Sequence, residues 1–238
     1  MRMKEKLLSR KIRFLNKNFT IMLRPDADES VVAEIFDWRE YRAVEEIIKT
    51  SALPLLDVGA HIGIFSLYAA ALNPALRIYA LEPEDDNFAL LKNNIAANGI
   101  KNIKVFKNAL AGKSGKRELI LEPDSINHHL SPEEGAGENA GRLKVQAFSA
   151  GEFFAGNDIL GIGLMKMDIE GGEYEVFEGM APGDFAKVGN VILEYHNYNG
   201  RHYKELEKLL RQQGFSVQIF PSKFEKDMGF LLARNKRG

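Results

Sequence analysis

Leu55-Leu56-Asp57-Val58-Gly59-Ala60-His61-Ile62-Gly63-Ile64-Phe65-Ser66 decides the fold. A short apolar run delivers an acid, then two glycines four residues apart, then a small-residue segment that continues to Leu72. Its reading is a buried strand, a tight turn and a helix. Gly59 can take the turn without a Cβ in the way. Gly63 lets the start of the helix approach a ligand or the sheet closely.

The same alternation repeats outward from this unit. Leu76–Glu82, Asn102–Lys107, Gly161–Asp168 and Val188–Tyr195 read as strands, with Phe215–Pro221 and Gly229–Arg234 as the last two. Glu84–Asn98, stopped by Gly99, and Tyr203–Gln213, stopped by Gly214, read as helices. This pattern predicts an α/β domain with a mostly parallel sheet covered by helices on both faces. Residues 1–50 read as an N-terminal hairpin and helical cap on a domain spanning 51–238. Strands at 12–15 and 19–23 flank Asn16-Lys17-Asn18. Val32, Ile35, Phe36, Val44, Ile47 and Ile48 fall at helical spacing with a break near Asp37. Trp38, the only tryptophan, invites a ligand reading, but an aromatic between two helices is more often core, and the core is where it is expected. An insertion at about 111–150 carries strand-like Gly115–Leu121 and Arg142–Phe148 around the polar run Glu122–Gly141, a candidate lid.

Composition narrows the function. With 32 Lys+Arg against 33 Asp+Glu, the chain as a whole lacks the cationic surplus that phosphate binding draws on, so nucleic acid is not an expected partner. The absence of cysteine excludes a disulfide framework, thiolate zinc sites and cysteine nucleophiles. No apolar run approaches membrane-spanning length. The basic N-terminus lacks a following apolar run, so no secretory signal is expected and the expected compartment is the cytoplasm. Residues 1–24 hold eight basic residues against Glu5, a solvated terminus or an electrostatic handle.

In an open α/β sheet, ligands lie beyond the carboxyl ends of the strands. A dinucleotide would call for G-x-G-x-x-G, which is absent here. Asp57 before the turn suits a ligand with a cationic end, and S-adenosylmethionine, with an ammonium and a sulfonium, is one. Glu82, 25 residues after Asp57 and followed by Pro83, can accept both ribose hydroxyls. Asn108-Ala109 fits a loop whose backbone meets an adenine edge. Asp168 and Glu170 can hold the ammonium, orient a substrate hydroxyl or bind a cation, and helix capping by acids is the plainer alternative. Glu194 and His196 end the next strand on the same edge, and a histidine titrates near neutrality. Ser125, Asn127, His128 and His129 supply hydrogen-bonding groups from the lid. Neighbours such as His128 and His129 point opposite ways in an extended chain, so no metal site is expected.

Asp57–Gly63, Glu82-Pro83, Asn108–Leu110, Asp168-Ile169-Glu170-Gly171-Gly172-Glu173 and Glu194-Tyr195-His196 occur in this order. Together, over about residues 30–235, they resemble the FkbM family of S-adenosylmethionine-dependent methyltransferases, the D-I-E-G-G-E stretch most of all. The resemblance implies a class I methyltransferase (Rossmann-like) sheet of seven strands with the last antiparallel. It also implies O-methylation of a hydroxyl on a small molecule, sugar or natural product. On this reading Asp57, Gly59, His61, Gly63, Glu82, Pro83, Asn108, Ala109 and Asp168 hold the cofactor. His196, Asp168 and Glu170 surround the reacting hydroxyl, with the base unassigned, and Ser125, Asn127, His128 and Glu194 face the acceptor. His61 replaces the middle glycine of the commoner G-x-G-x-G turn. An RNA methyltransferase is the competing enzyme reading, suggested by Leu81-Glu82-Pro83 before an Asn-rich helix. A non-catalytic binding module is the third, and the presence of Asp57, Glu82 and Asp168 weighs against it.

Overall fold

In the computed structural model, which describes residues 7–25, 28–122, 124–131, 141–197, 200–222 and 226–236, the chain opens with the antiparallel pair β1 (Leu8–Phe14) and β2 (Lys17–Leu23). The turn is Leu15-Asn16, not Asn16–Asn18. Both residues have positive φ, 45° and 62°, which suits the twist of a two-residue hairpin. Helix α1 (Asp28–Val32) runs into a π-helical turn at Ala33–Asp37. A 3-10 turn at Glu40–Val44 then leads into α2 (Glu45–Thr50). The break falls at Trp38-Arg39, where Arg39 takes a φ of 54°.

The domain that follows contains β3 (Leu55–Val58), α3 (Ile64–Leu72), β4 (Ile78–Leu81), α4 (Asp85–Ala97) and β5 (Ile103–Phe106). Next come β6 (Ala109–Leu110), β7 (Gly115–Leu121), β8 (His129–Leu130) and β9 (Gly141–Phe148). After α5 (Ala150–Gly156) the chain forms β10 (Leu164–Met167), α6 (Glu173–Gly179), α7 (Pro182–Ala186) and β11 (Asn190–His196). It closes with α8 (Tyr203–Gln212), β12 (Phe215–Pro221) and β13 (Met228–Asn235).

The main sheet has seven strands in the order β12-β13-β11-β10-β3-β4-β5. Strands β11, β10, β3, β4 and β5 are mutually parallel, and β13 runs antiparallel between β11 and β12. The chain moves outward from β3 to β5, then crosses back to place β10 on the other side of β3. That reversal opens a crevice beyond the carboxyl ends of β3 and β10. The insertion forms its own sheet, β6-β9-β7-β8.

Every residue of β3, β4 and β10 is buried, as a sheet covered on both faces requires. One face packs Phe153, Phe154, Phe177 and Phe215 against Leu56 and Met165. The other packs α3 and the cap, with Phe65, Tyr68, Ile21, Leu23 and Phe36 in one cluster. Each such large side chain contributes about 1.5–3 kcal/mol on burial.

The Asn-rich helix α4 holds the hairpin. Asn94 Oδ1 accepts from Met22 N at 2.7 Å, and its Nδ2 donates to Met22 O at 3.0 Å. One turn on, Asn98 repeats this with Thr20 N and O at 2.8 and 2.9 Å. The two amides satisfy the open edge of β2 as a neighbouring strand would. The asparagines that suggested an RNA methyltransferase therefore have a packing reason. Among the described residues, no helix is long and apolar enough to cross a membrane.

Candidate active site

A cavity of about 1260 Å³ opens over the carboxyl ends of β3, β4, β10 and β11. The cap covers one side of it and residues 125–130 another. Of the sequence candidates, Gly59, His61, Glu82, Pro83, Asn108, Ala109 and Asp168 line it, as do Glu170, Glu194 and His196. Ser125, Asn127, His128 and His129 line it as well. The remainder of the candidate lid, at 123 and 132–140, lies outside the described residues.

Asp57 and Gly63, by contrast, do not line the cavity. Asp57 is fully buried behind the wall, accepts a hydrogen bond from Ser66 Oγ at 2.6 Å and lies 3.5 Å from Lys166 Nζ. Lys166 Nζ donates to Gly59 O at 2.9 Å and lies 3.6 Å from Asp168 Oδ2. Burial pushes the Asp57 carboxyl up, against the pull of Lys166 and Ser66. Burial also opposes the charge on Lys166, but Asp168 and Asp57 outweigh it and hold its pKa above the usual lysine range. The charged ammonium braces the turn from below. Gly63 starts α3 with a φ of 91°, and a Cβ there would lie 2.5 Å from Leu91 Cδ1. Its missing side chain serves the packing of α3 on α4. Gly59 has a φ of 72°, and a Cβ would stand 1.9 Å from Asp168 O, so this residue brings the β3 and β10 loops together.

Glu82 ends β4 facing the cavity. Its Oε2 accepts from His61 N at 2.8 Å and its Oε1 from Glu84 N at 3.0 Å. Each carboxylate oxygen can accept a second hydrogen bond. Burial pushes the Glu82 carboxyl up, and those two backbone amides with the His61 charge oppose it.

Beside it, the wall is acidic. Burial first, then the Asp168 charge, raises Glu170 to about 8. The same two causes, with Glu170 itself, hold Glu194 well above the usual carboxylate range. From the cap, Glu34 is pushed up by burial and by Glu40 and Asp168, and Glu40 by burial. His196 Nε2 lies 3.6 Å from Glu170 Oε2, while His196 Nδ1 is buried without a hydrogen-bond partner among the described residues. A cavity crowded with acids holds protons on some of them, and a cationic ligand would favour their ionised forms. No group of three or more histidines and acids suited to a metal occurs among the described residues.

Sequence reasoning missed the cap's share of the wall. Trp38, expected in the core, is 63% exposed and lines the cavity. Its loop is anchored by Arg39, whose guanidinium donates to both carboxylate oxygens of Glu45 at 2.5–2.9 Å, and Tyr68 OH donates to Glu45 Oε1 at 2.5 Å. The π-helical turn before Trp38 changes which face it presents, and apolar spacing does not record that change. Lys166 had a readable signal, a cation inside the apolar run Leu164–Met167. Of the basic residues of the terminus, Arg24 is buried in an ion pair with Asp28 and Arg10 pairs with Asp37, while Lys11 and Arg13 are exposed.

The profile of the methyltransferase FkbM domain matches residues 57–217. The 31-O-demethyl-FK506 methyltransferase FkbM of Streptomyces tacrolimicus is 27% identical over 190 residues, 68% of this chain and 72% of its own. The hexuronic acid methyltransferase AglP of Haloferax volcanii is 27% identical over 216 residues, 86% of this chain and 82% of its own. Among solved structures, a SAM-dependent methyltransferase from Agrobacterium tumefaciens superposes with a TM-score of 0.51 at 11% identity. That match covers 98% of this chain and 72% of the other, a likeness of fold.

Proposed function

The chain belongs to the FkbM family of S-adenosylmethionine-dependent methyltransferases, and on that premise we propose that it methylates a hydroxyl oxygen of a small molecule or sugar. The donor set fits the cofactor. Glu82 offers two oxygens to a ribose diol, Asn108 and Ala109 border the wall where a base would lie, and the acids around Asp168 suit an ammonium and a sulfonium. A pyrophosphate would meet those same acids at a Coulombic cost. When bound, the cofactor supplies an electrophilic methyl, which the acceptor oxygen takes as the carbon–sulfur bond breaks.

The chain's own groups do the rest. The turn held by Gly59 and Lys166 fixes the floor, and positioning of this kind supplies about 7–11 kcal/mol of a barrier. His196 Nε2 takes the hydroxyl proton. Glu170 stands beside it, and its ionised form, favoured by the bound cation, stabilises the charge that develops on the imidazole. Trp38 gives the acceptor an apolar surface at the cavity mouth.

The observation that carries this reading is the pairing of His196 with Glu170 on the same wall as Glu82, in one cavity at the topological switch point. The two relatives named above are a 31-O-demethyl-FK506 methyltransferase and a hexuronic acid methyltransferase, which supports an oxygen acceptor. The overall balance of 32 Lys+Arg against 33 Asp+Glu weighs against RNA. The test is incubation of the protein with cofactor labelled at the methyl and a panel of sugars and hydroxylated natural products, followed by mass spectrometry. Label is expected on an ether oxygen. Label on nitrogen or carbon only, or on RNA, overturns the reading.

A further inference from the structure

Arg24 and Asp28 lie before the residues matched to the FkbM domain and are not part of the cavity lining, yet they join the loops that carry the candidate cofactor contacts. Asp28 is fully buried. Its Oδ2 accepts from Arg24 N and Nε at 2.8 and 2.9 Å, and its Oδ1 from an Arg24 terminal nitrogen at 3.0 Å. The same Oδ1 lies 3.1 Å from His61 Nε2 and accepts from Ser125 Oγ at 3.1 Å. Arg24 also donates to Asn87 Oδ1 at 2.6 Å, and Asn87 Nδ2 donates to Ser125 O at 3.2 Å. One buried carboxylate thus meets the hairpin exit, the β3–α3 turn and the segment before β8, while its arginine reaches the first turn of α4.

His61 explains why such a clamp is needed. Its φ is 50°, a left-handed conformation that costs a non-glycine residue energy and persists only where the surroundings hold it. In that conformation its N–H reaches Glu82 Oε2. Burial would push the Asp28 carboxyl up, but the hydrogen bonds from His61 and Arg24 outweigh it and hold the group well below the usual carboxylate range. A buried charge so fully partnered is costly to disturb at any one contact.

We propose that Asp28, clamped by Arg24, is a positioning residue that holds His61 and Glu82 in the cofactor-binding arrangement and docks the Ser125 segment over them. The hairpin and cap then belong to the binding machinery. The proposal rests on the cofactor reading above.

The test is calorimetric titration with S-adenosylhomocysteine of the wild type, Asp28→Asn, Ser125→Ala and the double variant. Amide hydrogen exchange of the same proteins is measured with and without the ligand. Glu118→Gln, which loses an ion pair with Arg142 away from the clamp, controls for stability alone. Asp28→Asn is expected to weaken affinity at least tenfold and Ser125→Ala severalfold. The double variant is expected to be no weaker than Asp28→Asn, because Ser125 acts through Asp28. In the wild type, exchange at residue 61 and at 124–131 is expected to slow together on binding, and in Asp28→Asn the 124–131 response is lost. If Asp28→Asn does not fold, the severalfold Ser125→Ala effect and the joint slowing in the wild type decide. An Asp28→Asn affinity within twofold of wild type, losses that add in the double variant, or slowing at residue 61 without 124–131 overturns the proposal and leaves the function standing. No heat in the wild type removes the proposed function and this inference with it.

Discussion

Replacing Glu173 by glutamine isolates one buried carboxyl and changes the protein's stability in a way that depends on pH. Glu173 opens α6 and is fully buried; its Oε1 accepts from Ile169 N at 2.9 Å, and its Oε2 has no partner among the described residues. Burial raises it from 4.5 to about 7, against the bonds from the Ile169 and Glu173 amides and the His196 charge. Because the folded value lies above the unfolded one, the folded state keeps a proton that the unfolded chain has already released. The stabilisation is complete below about pH 4.5 and is lost as pH rises through about 7. One pKa unit corresponds to about 1.4 kcal/mol, so this rise corresponds to about 3 kcal/mol between those limits. Glutamine keeps the acceptor for Ile169 N and has no proton to lose. Urea unfolding should find the two proteins within about 1 kcal/mol at pH 5 and the variant ahead by about 3 kcal/mol at pH 8. Glu170 leaves its own downward slope in both proteins, since it too is raised, to about 8. Stability curves that stay parallel from pH 5 to pH 8 would refute the reasoning.

Gly59→Ala should destabilise by more than about 3 kcal/mol, since it combines positive-φ strain with a backbone clash. Gly99→Ala, with a φ of 63° and nothing within 4 Å of the added Cβ, should cost only about 1–2 kcal/mol, and equal losses by denaturant unfolding would dismiss the clash with Asp168. Glu82→Ala should weaken cofactor binding in calorimetry by roughly tenfold or more, as expected for losing hydrogen bonds to a buried carboxylate; an unchanged affinity would move the ribose elsewhere. His196→Ala should lower kcat by about 10²–10⁴-fold with the cofactor KM within about twofold, and an equal loss in cofactor binding would place this histidine in the cofactor site. Binding of the cationic cofactor near pH 7.5 should release protons from the Glu170 group, read as a dependence of calorimetric heat on the buffer's ionisation enthalpy; no such dependence would mean that these acids do not face the positive charge.

The alternation of strands and helices was legible because β3, β4 and β10 at the centre of the parallel core are short, mostly apolar runs closed by a glycine or an acid. Phe215–Pro221 coincides with β12, and Glu84–Asn98 brackets α4 to within a residue at each end. Short helices left less to read. Ala150–Gly156 and Pro182–Ala186 make at most two turns, too few for an apolar period to declare itself. The residues that line the crevice end strands, and that position carried most of them into the candidate set. Asp57 lies behind the cavity wall, and a strand-ending acid looks the same in sequence whether it faces a ligand or a lysine. Only the register that places Lys166 beside it on β10 separates the two cases. Trp38 failed for the opposite reason, since its exposure follows from a π-helical turn and a left-handed Arg39 that apolar spacing does not encode.

Arg24 and Asp28 illustrate a further limit of reading along the chain. Neither stands near a glycine turn, and each looks like an ordinary surface charge until the fold brings it to His61 and Asn87. What makes them informative is cost. Two charges withdrawn from water at a point where four segments meet are a poor way to gain stability alone, because apolar side chains of similar volume would hold the same junction at least as well. A polar junction does supply a fixed direction, since a carboxylate with five neighbouring donors tolerates few arrangements of the groups around it. That directional requirement falls on His61, whose N–H meets Glu82. The parallel sheet has only to bring the strand ends to one edge, and the cap sets the turn against them.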